Sequence, residues 1–234
     1  MTAPGSAVPG SAAASGAVGH VRSMTRLGLA LGAGAILGAA AWTADQFVYP
    51  WNVLIPANAV GAWVAVAFAT GALGTRPLGG ALRGLAALLV GVAVYELLTG
   101  TLGYGVSSGG AVHASLVWGT VAAVIGPVFG LAGATWRGSR GWPRAIAAAF
   151  LGAALIAEGV GFGGARLVHV GQLVYDPGAL LLAGEIAVGL ALPWLLLRPG
   201  ERRSGYLAMV VLAVLAAVAI EPVTALVRGI ADRF

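Results

Sequence analysis

The chain has 234 residues, of which 59% are hydrophobic and only 9% charged, with 38 glycines and a formal net charge of +5. A water-soluble domain carries about a quarter charged residues, so this chain lacks the material for a solvated surface. It has no cysteine, which excludes disulfides, thiolate metal sites and cysteine nucleophiles, and three histidines and eight acids are the whole remaining stock for chemistry.

Residues 1–21 are small, Pro/Gly/Ser-rich and aperiodic, the composition of a disordered segment. Met24 opens a credible alternative start, so residues 1–23 read as a tail and 24–234 as a transmembrane helical domain. Seven apolar runs follow, each near the roughly 20 residues that cross a 30 Å hydrocarbon core. They are Leu27–Ala44, Asn58–Leu73, Ala81–Leu102, Ala111–Ala134, Ala145–Phe162, Gly178–Leu197 and Tyr206–Val227. The first also resembles a signal peptide, because Arg22 and Arg26 precede it and Ala39–Ala41 looks like a cleavage site. The Gly28/Gly32 and Gly34/Gly38 pairs favour a retained helix, since Gly-x-x-x-Gly faces let helices approach closely and also supply a route to oligomers. The expected fold is all-α, a polytopic transmembrane bundle of about seven helices.

Orientation follows from the arginines, which are the only basic residues. Ten (Arg22, Arg26, Arg76, Arg83, Arg137, Arg140, Arg144, Arg198, Arg202 and Arg203) flank one set of span ends, and three (Arg166, Arg228 and Arg233) the other. The positive-inside rule then predicts a cytoplasmic N-terminus. Trp136, Trp142, Trp194 and Tyr206 mark the inner boundary, and Tyr49, Trp51 and Tyr104 the outer one. Arginines in short loops are explained by topology, so nucleic acid is not expected as a partner.

A repeat is also visible. Arg76, Arg137 and Arg198 are each 61 residues apart, Glu96, Glu158 and Glu221 are 62 and 63 apart, and Glu96-Leu-Leu-Thr99 matches Glu221-Pro-Val-Thr224. One reading is three parallel helical hairpins after a lone first helix; the other is that hairpins of uniform length space any loop residue evenly.

Glu96, Glu158, Glu185 and Glu221 all fall inside apolar runs. Intramembrane acids usually face the bundle interior, pair, or line a pathway. With 1.5 Å per residue, Glu96, Glu158 and Glu221 are expected roughly 20–24 Å above the inner boundary, and Glu185 about 10 Å beneath the outer one, in the same layer. Asp45, His113, Arg166, His169 and Asp176 lie near the same face. Such a cluster is expected to line an outward-facing acidic cavity that binds a proton, cation or small solute. Thr99, Thr224 and His113 are candidate co-ligands, Arg228 a counter-ion, and Pro222 a break that frees carbonyls. The alternative is that each glutamate only hydrogen-bonds Thr99, Thr224, Tyr95 or a carbonyl and ties helices together.

No His-Glu-x-x-His or other helical ligand spacing is present, and no Gly-x-Ser-x-Gly elbow; no catalytic residue, metal or cofactor is expected. Trp118-Gly119, Gly126-Pro-Val-Phe-Gly130-Leu-Ala-Gly133 and Ala157-Glu158-Gly159 resemble motifs of an uncharacterised multi-pass membrane protein family of actinobacteria, a domain of unknown function. That resemblance implies membrane localisation and a bacterial source, and brings no site residues. The all-arginine, Ala/Gly/Val-rich composition agrees with a GC-rich bacterial genome. The sequence therefore reads as an inner-membrane permease- or carrier-like protein whose partner is the lipid bilayer. A structural or assembly subunit is the alternative, and a membrane enzyme comes third.

Overall fold

The computed structural model describes residues 11–47, 57, 59–102, 108–170 and 177–231. Within helices it does so without the side chains of 11–22, 108–115, 161–170, 177–180, 182, 217 and 219–231. Among the described residues there are seven helices and no strand: α1 (Ser11–Asp45), α2 (Val60–Gly71), α3 (Pro77–Leu102), α4 (Ser108–Gly138), α5 (Trp142–Val170), α6 (Pro177–Leu196) and α7 (Pro199–Ala231). Each lies on one expected apolar run. The fold is an all-α bundle.

Four segments are long and apolar enough to cross a membrane: Ser23–Asp45, Pro77–Leu102, Leu116–Gly138 and Trp142–Val160. Large apolar side chains point outward, with Ile36 73% and Val218 72% exposed, which suits hydrocarbon rather than water. The chain is a membrane protein.

α1 and α2 differ from expectation, and α5 and α7 also overrun their apolar runs, by eight residues at the end of α5 and seven at the start of α7. α1 begins at Ser11, inside the segment read as tail, where a run of alanines supplies strong helix formers; residues 1–10 lie outside the described residues. α2 was expected to span 58–73, yet it has 12 residues, about 18 Å of helix against a core of roughly 30 Å. Its helical backbone is shorter than the core is thick.

α3 packs against α1 on one side and α4 on the other, α5 packs against α6 and α7, and α2 sits between the two groups, touching α1, α3, α4 and α5. The seams are built from glycine. A Cβ on Gly34 or Gly38 of α1 would strike the Ala87 or Gly91 carbonyl of α3, and one on Gly84 of α3 would meet the Gly126 carbonyl and the Gly130 backbone of α4. Backbones this close gain dispersion and weak Cα–H contacts in place of a hydrophobic drive, which lipid does not supply.

Arg26, Arg83, Arg144, Arg198 and Arg202 gather at one end. Arg26 and Arg83 approach each other beside Gly74, and Gly138 of the α4–α5 turn lies against Thr75. There the guanidinium groups close helix C-termini, whose last carbonyls lack helical partners. Arg83 donates to the Thr70 and Gly71 carbonyls of α2 at 3.1 and 3.0 Å. Arg144 donates to the Leu196 carbonyl of α6 at 3.2 Å, and the Trp136 indole N–H donates to the same oxygen at 3.1 Å. Arg144 lies over the Trp136 ring and Arg202 over Trp194. At the start of α7, Glu201 accepts from the backbone N–H of Gly141 (2.7 Å) and Arg198 (3.3 Å). Burial raises its carboxyl, but these two N–H groups and the charges of Arg144 and Arg198 outweigh that and hold it below the usual range.

Candidate functional site

The site is assembled around the N-terminus of α2. Its N-cap residue, Ala59, has no side chain able to accept from the first free N–H groups. The acceptor comes from α5 instead: Val60 N–H donates to Glu158 Oε1 at 2.7 Å and Gly61 N–H to Oε2 at 2.5 Å. A carboxylate on the positive end of a helix is stabilised by both the donors and the dipole, so Glu158 serves α2 as a cap supplied from 97 residues further along the chain.

Glu185 of α6 joins it. A Cβ on Gly61 would lie 3.0 Å from Glu185 Oε1 and 3.3 Å from Glu158 Oε2, so both carboxylates crowd the same side of one glycine. Glu185 is 8% exposed, and its Oε2 has no hydrogen-bond partner.

Glu96 lies elsewhere. It lines a cavity of about 300 Å³ between α1, α2, α3 and α4. Asp45, Tyr95 and Glu96 supply the polar groups, and the Trp63 and Trp118 rings with Leu88, Val92 and Ile125 form much of the wall. The Tyr95 hydroxyl donates to Asp45 Oδ2 at 2.5 Å, and Thr99 Oγ1 donates to the Tyr95 carbonyl at 2.9 Å. Neither of those two groups serves Glu96, whose Oε1 is buried without a partner. The Trp63 N–H is satisfied by the Ala57 carbonyl, which leaves its ring as a wall. Val60 lines the cavity while its N–H holds Glu158, so one residue of α2 separates the two acidic sites.

The expected single layer of acids is therefore resolved into two places. Glu158 and Glu185 meet at the α2 N-terminus, and Glu96 meets Asp45 and Tyr95 across α2 from them. Glu221, Thr224 and Arg228 are on α7 and His113 on α4, but their side chains lie outside the described residues, as do those of Arg166 and His169; Asp176 is outside them altogether. Among the described residues no group of three His, Cys, Asp or Glu could hold a metal ion.

A family model matches residues 18–229, almost the whole chain. The chain belongs to this family of unknown function (DUF6518). No curated protein and no solved structure matches it. Family membership thus brings no assigned residue, and the geometry carries the functional argument. The sequence did not point to Trp63, Trp118, Val60 or Gly61 as site residues. One signal was available for α2: its start, Ala59-Val60-Gly61, lacks a capping side chain in a chain that carries acids on distant helices.

Proposed function

We propose that this protein is a carrier-like multi-pass protein of the bacterial inner membrane, with its seven helices oriented N-terminus inside. The cavity between α1 and α4 then opens toward the outer side and binds a small organic cation. The observation that carries this is Glu96, a carboxylate with a buried, unpartnered oxygen in a cavity whose other walls are aromatic and aliphatic. A cation with an apolar body satisfies both parts: its charge neutralises the acids at one end and its surface packs on Trp63 and Trp118, where cation–π attraction adds roughly 0.5–2 kcal/mol. At about 300 Å³ the cavity is at the small end of the range for ligand sites.

Full-length protein in lipid nanodiscs, melted with benzylammonium or with neutral benzyl alcohol, tests the reading. Benzylammonium should raise the melting temperature by mass action, benzyl alcohol should not, and Glu96→Gln should abolish the difference. Equal responses to the two probes would refute a cation site. Uptake of the bound probe into proteoliposomes then separates a carrier from a receptor.

The structural-subunit reading draws on one observation: both oxygens of Glu158 are spent on the α2 N-terminus. Under that reading Glu158→Gln lowers membrane yield and no solute is moved.

A further inference from the structure

We propose that Glu158 and Glu185 together form a binding site for one exchangeable proton, with Glu185 carrying it while Glu158 remains ionised on the N-terminus of α2. This does not depend on what the cavity binds.

The argument starts from the donors. α2 offers two N–H groups at this point, and Glu158 takes both, one on each oxygen. Its negative charge is thereby matched to the helix end. Glu185 approaches the same glycine from α6 and finds no N–H left: it is more than nine-tenths buried, with Oε2 unpartnered. A second negative charge there would face the first in a buried site, an arrangement in which two neighbouring carboxylates do not both ionise. A proton removes the repulsion and gives Glu185 a donor. A metal cation fits poorly, because the nearest backbone groups are N–H donors at a positive helix end, and a cation wants carbonyl oxygens.

Among the described side chains, the charged groups on the surrounding helices lie away from this pair. α2 carries none. α6 carries only Glu185. α5 carries Arg144 at the arginine-rich end, with Arg166 and His169 at the other; α4 carries His113 and Arg137 near its two ends; α7 carries Glu201, Arg202 and Arg203 near its start. Glu221 and Arg228, further along α7, and Arg166, His169 and His113 have side chains outside the described residues. Asp45, Tyr95 and Glu96 lie on the cavity side of α2.

The test is infrared spectroscopy of the full-length protein in nanodiscs, titrated from pH 4 to pH 10. The readout is the protonated-carboxyl C=O stretch in the wild type minus Glu185→Gln difference spectrum. Glutamine has the shape and hydrogen-bonding character of a protonated glutamate, so this variant keeps the packing. A difference band that is present at acidic pH and lost as the pH rises is the expected result. No difference band at any pH shows Glu185 to be ionised throughout and overturns the proposal; a band unchanged to pH 10 shows a permanently neutral side chain and overturns it equally. Glu158→Gln gives the second reading. Without the neighbouring charge, the band should be lost about one pH unit or more lower, a tenfold change in proton affinity, whereas an unmoved midpoint shows that the two carboxylates do not share the proton. Glu96→Gln should leave the difference band in place.

Discussion

Gly130→Ala adds one methyl group to α4 at the junction where α2, α3 and α4 meet. The new Cβ would strike the Gly80 carbonyl oxygen and lie 3.0 Å from the Gly80 carbonyl carbon and from Gly84 Cα. All three are backbone atoms of α3, so no side-chain rotation relieves the overlap and the helices must part. Overpacking of this kind costs about 1–3 kcal/mol. Against it stands the gain of roughly 0.5–1 kcal/mol from replacing glycine by alanine inside a helix. The net loss is about 0–2.5 kcal/mol against wild type, and the overpacking cost of about 1–3 kcal/mol is what separates it from a control that keeps only the propensity gain. Gly119→Ala on the same helix is the matched control: nothing lies within 4 Å of its Cβ position, so only the propensity gain remains. Equilibrium unfolding of both variants in mixed micelles, followed by circular dichroism, measures the difference. If Gly130→Ala is as stable as Gly119→Ala, close backbone contact between α3 and α4 does not hold this bundle together.

Arg83→Leu should cost about 1.5–3 kcal/mol in the same assay, since it strips charge-assisted donors from the Thr70 and Gly71 carbonyls; Arg83→Lys should restore only part, because one ammonium does not span both oxygens as the guanidinium fork does. Trp136→Phe should lose about 0.5–1.5 kcal/mol, leaving the Leu196 carbonyl short of one donor while keeping a ring beneath Arg144. Glu201 governs an acid limb: its carboxyl is held low in the fold, so its contribution is complete above the ordinary glutamate range and is lost as the pH falls through the lower folded value. The melting-temperature gap between wild type and Glu201→Gln should therefore close on acidification, and a gap that widens would reverse the assignment.

Helix placement was largely legible in the sequence because bilayer length and apolarity are enough to mark it. Ala81–Leu102 was expected and Pro77–Leu102 is found; Gly178–Leu197 was expected and Pro177–Leu196 is found. What apolarity does not encode is which face of a helix turns inward, since both the lipid and the helix seams accept Ala, Leu and Val. The rise per residue gave each glutamate a depth and no direction. Glu96 on α3 and Glu158 on α5 were therefore expected together, although α2 stands between them. The length of α2 was hidden too: Asn58–Leu73 is predominantly apolar, and hydropathy does not register where its helical backbone begins.

The repeat is informative at the level of local contacts. Arg83 and Arg144 are 61 residues apart, as are Gly91 and Gly152, and both members of each pair do the same local job. Each arginine closes the C-terminus of a neighbouring helix, and each glycine lets another backbone come close. Their partners differ. Arg83 reaches back to α2, the helix before it, whereas Arg144 reaches forward to α6; Gly91 meets α1 and Gly152 meets α6. A threefold arrangement requires equivalent residues to meet equivalent helices, so the likeness is one of helix-pair chemistry among these residues. The glutamates follow the same logic. Glu96 on α3 and Glu158 on α5 differ in one respect: Glu158 faces the end of a short helix and accepts from two of its N–H groups. That one difference leaves Glu158 fixed on α2, Glu185 beside it with Oε2 unpartnered, and Glu96 with a buried, unpartnered oxygen in a residue that lines the cavity. The length of α2, more than the number of acids, decides which carboxylate is structural and which are available for binding.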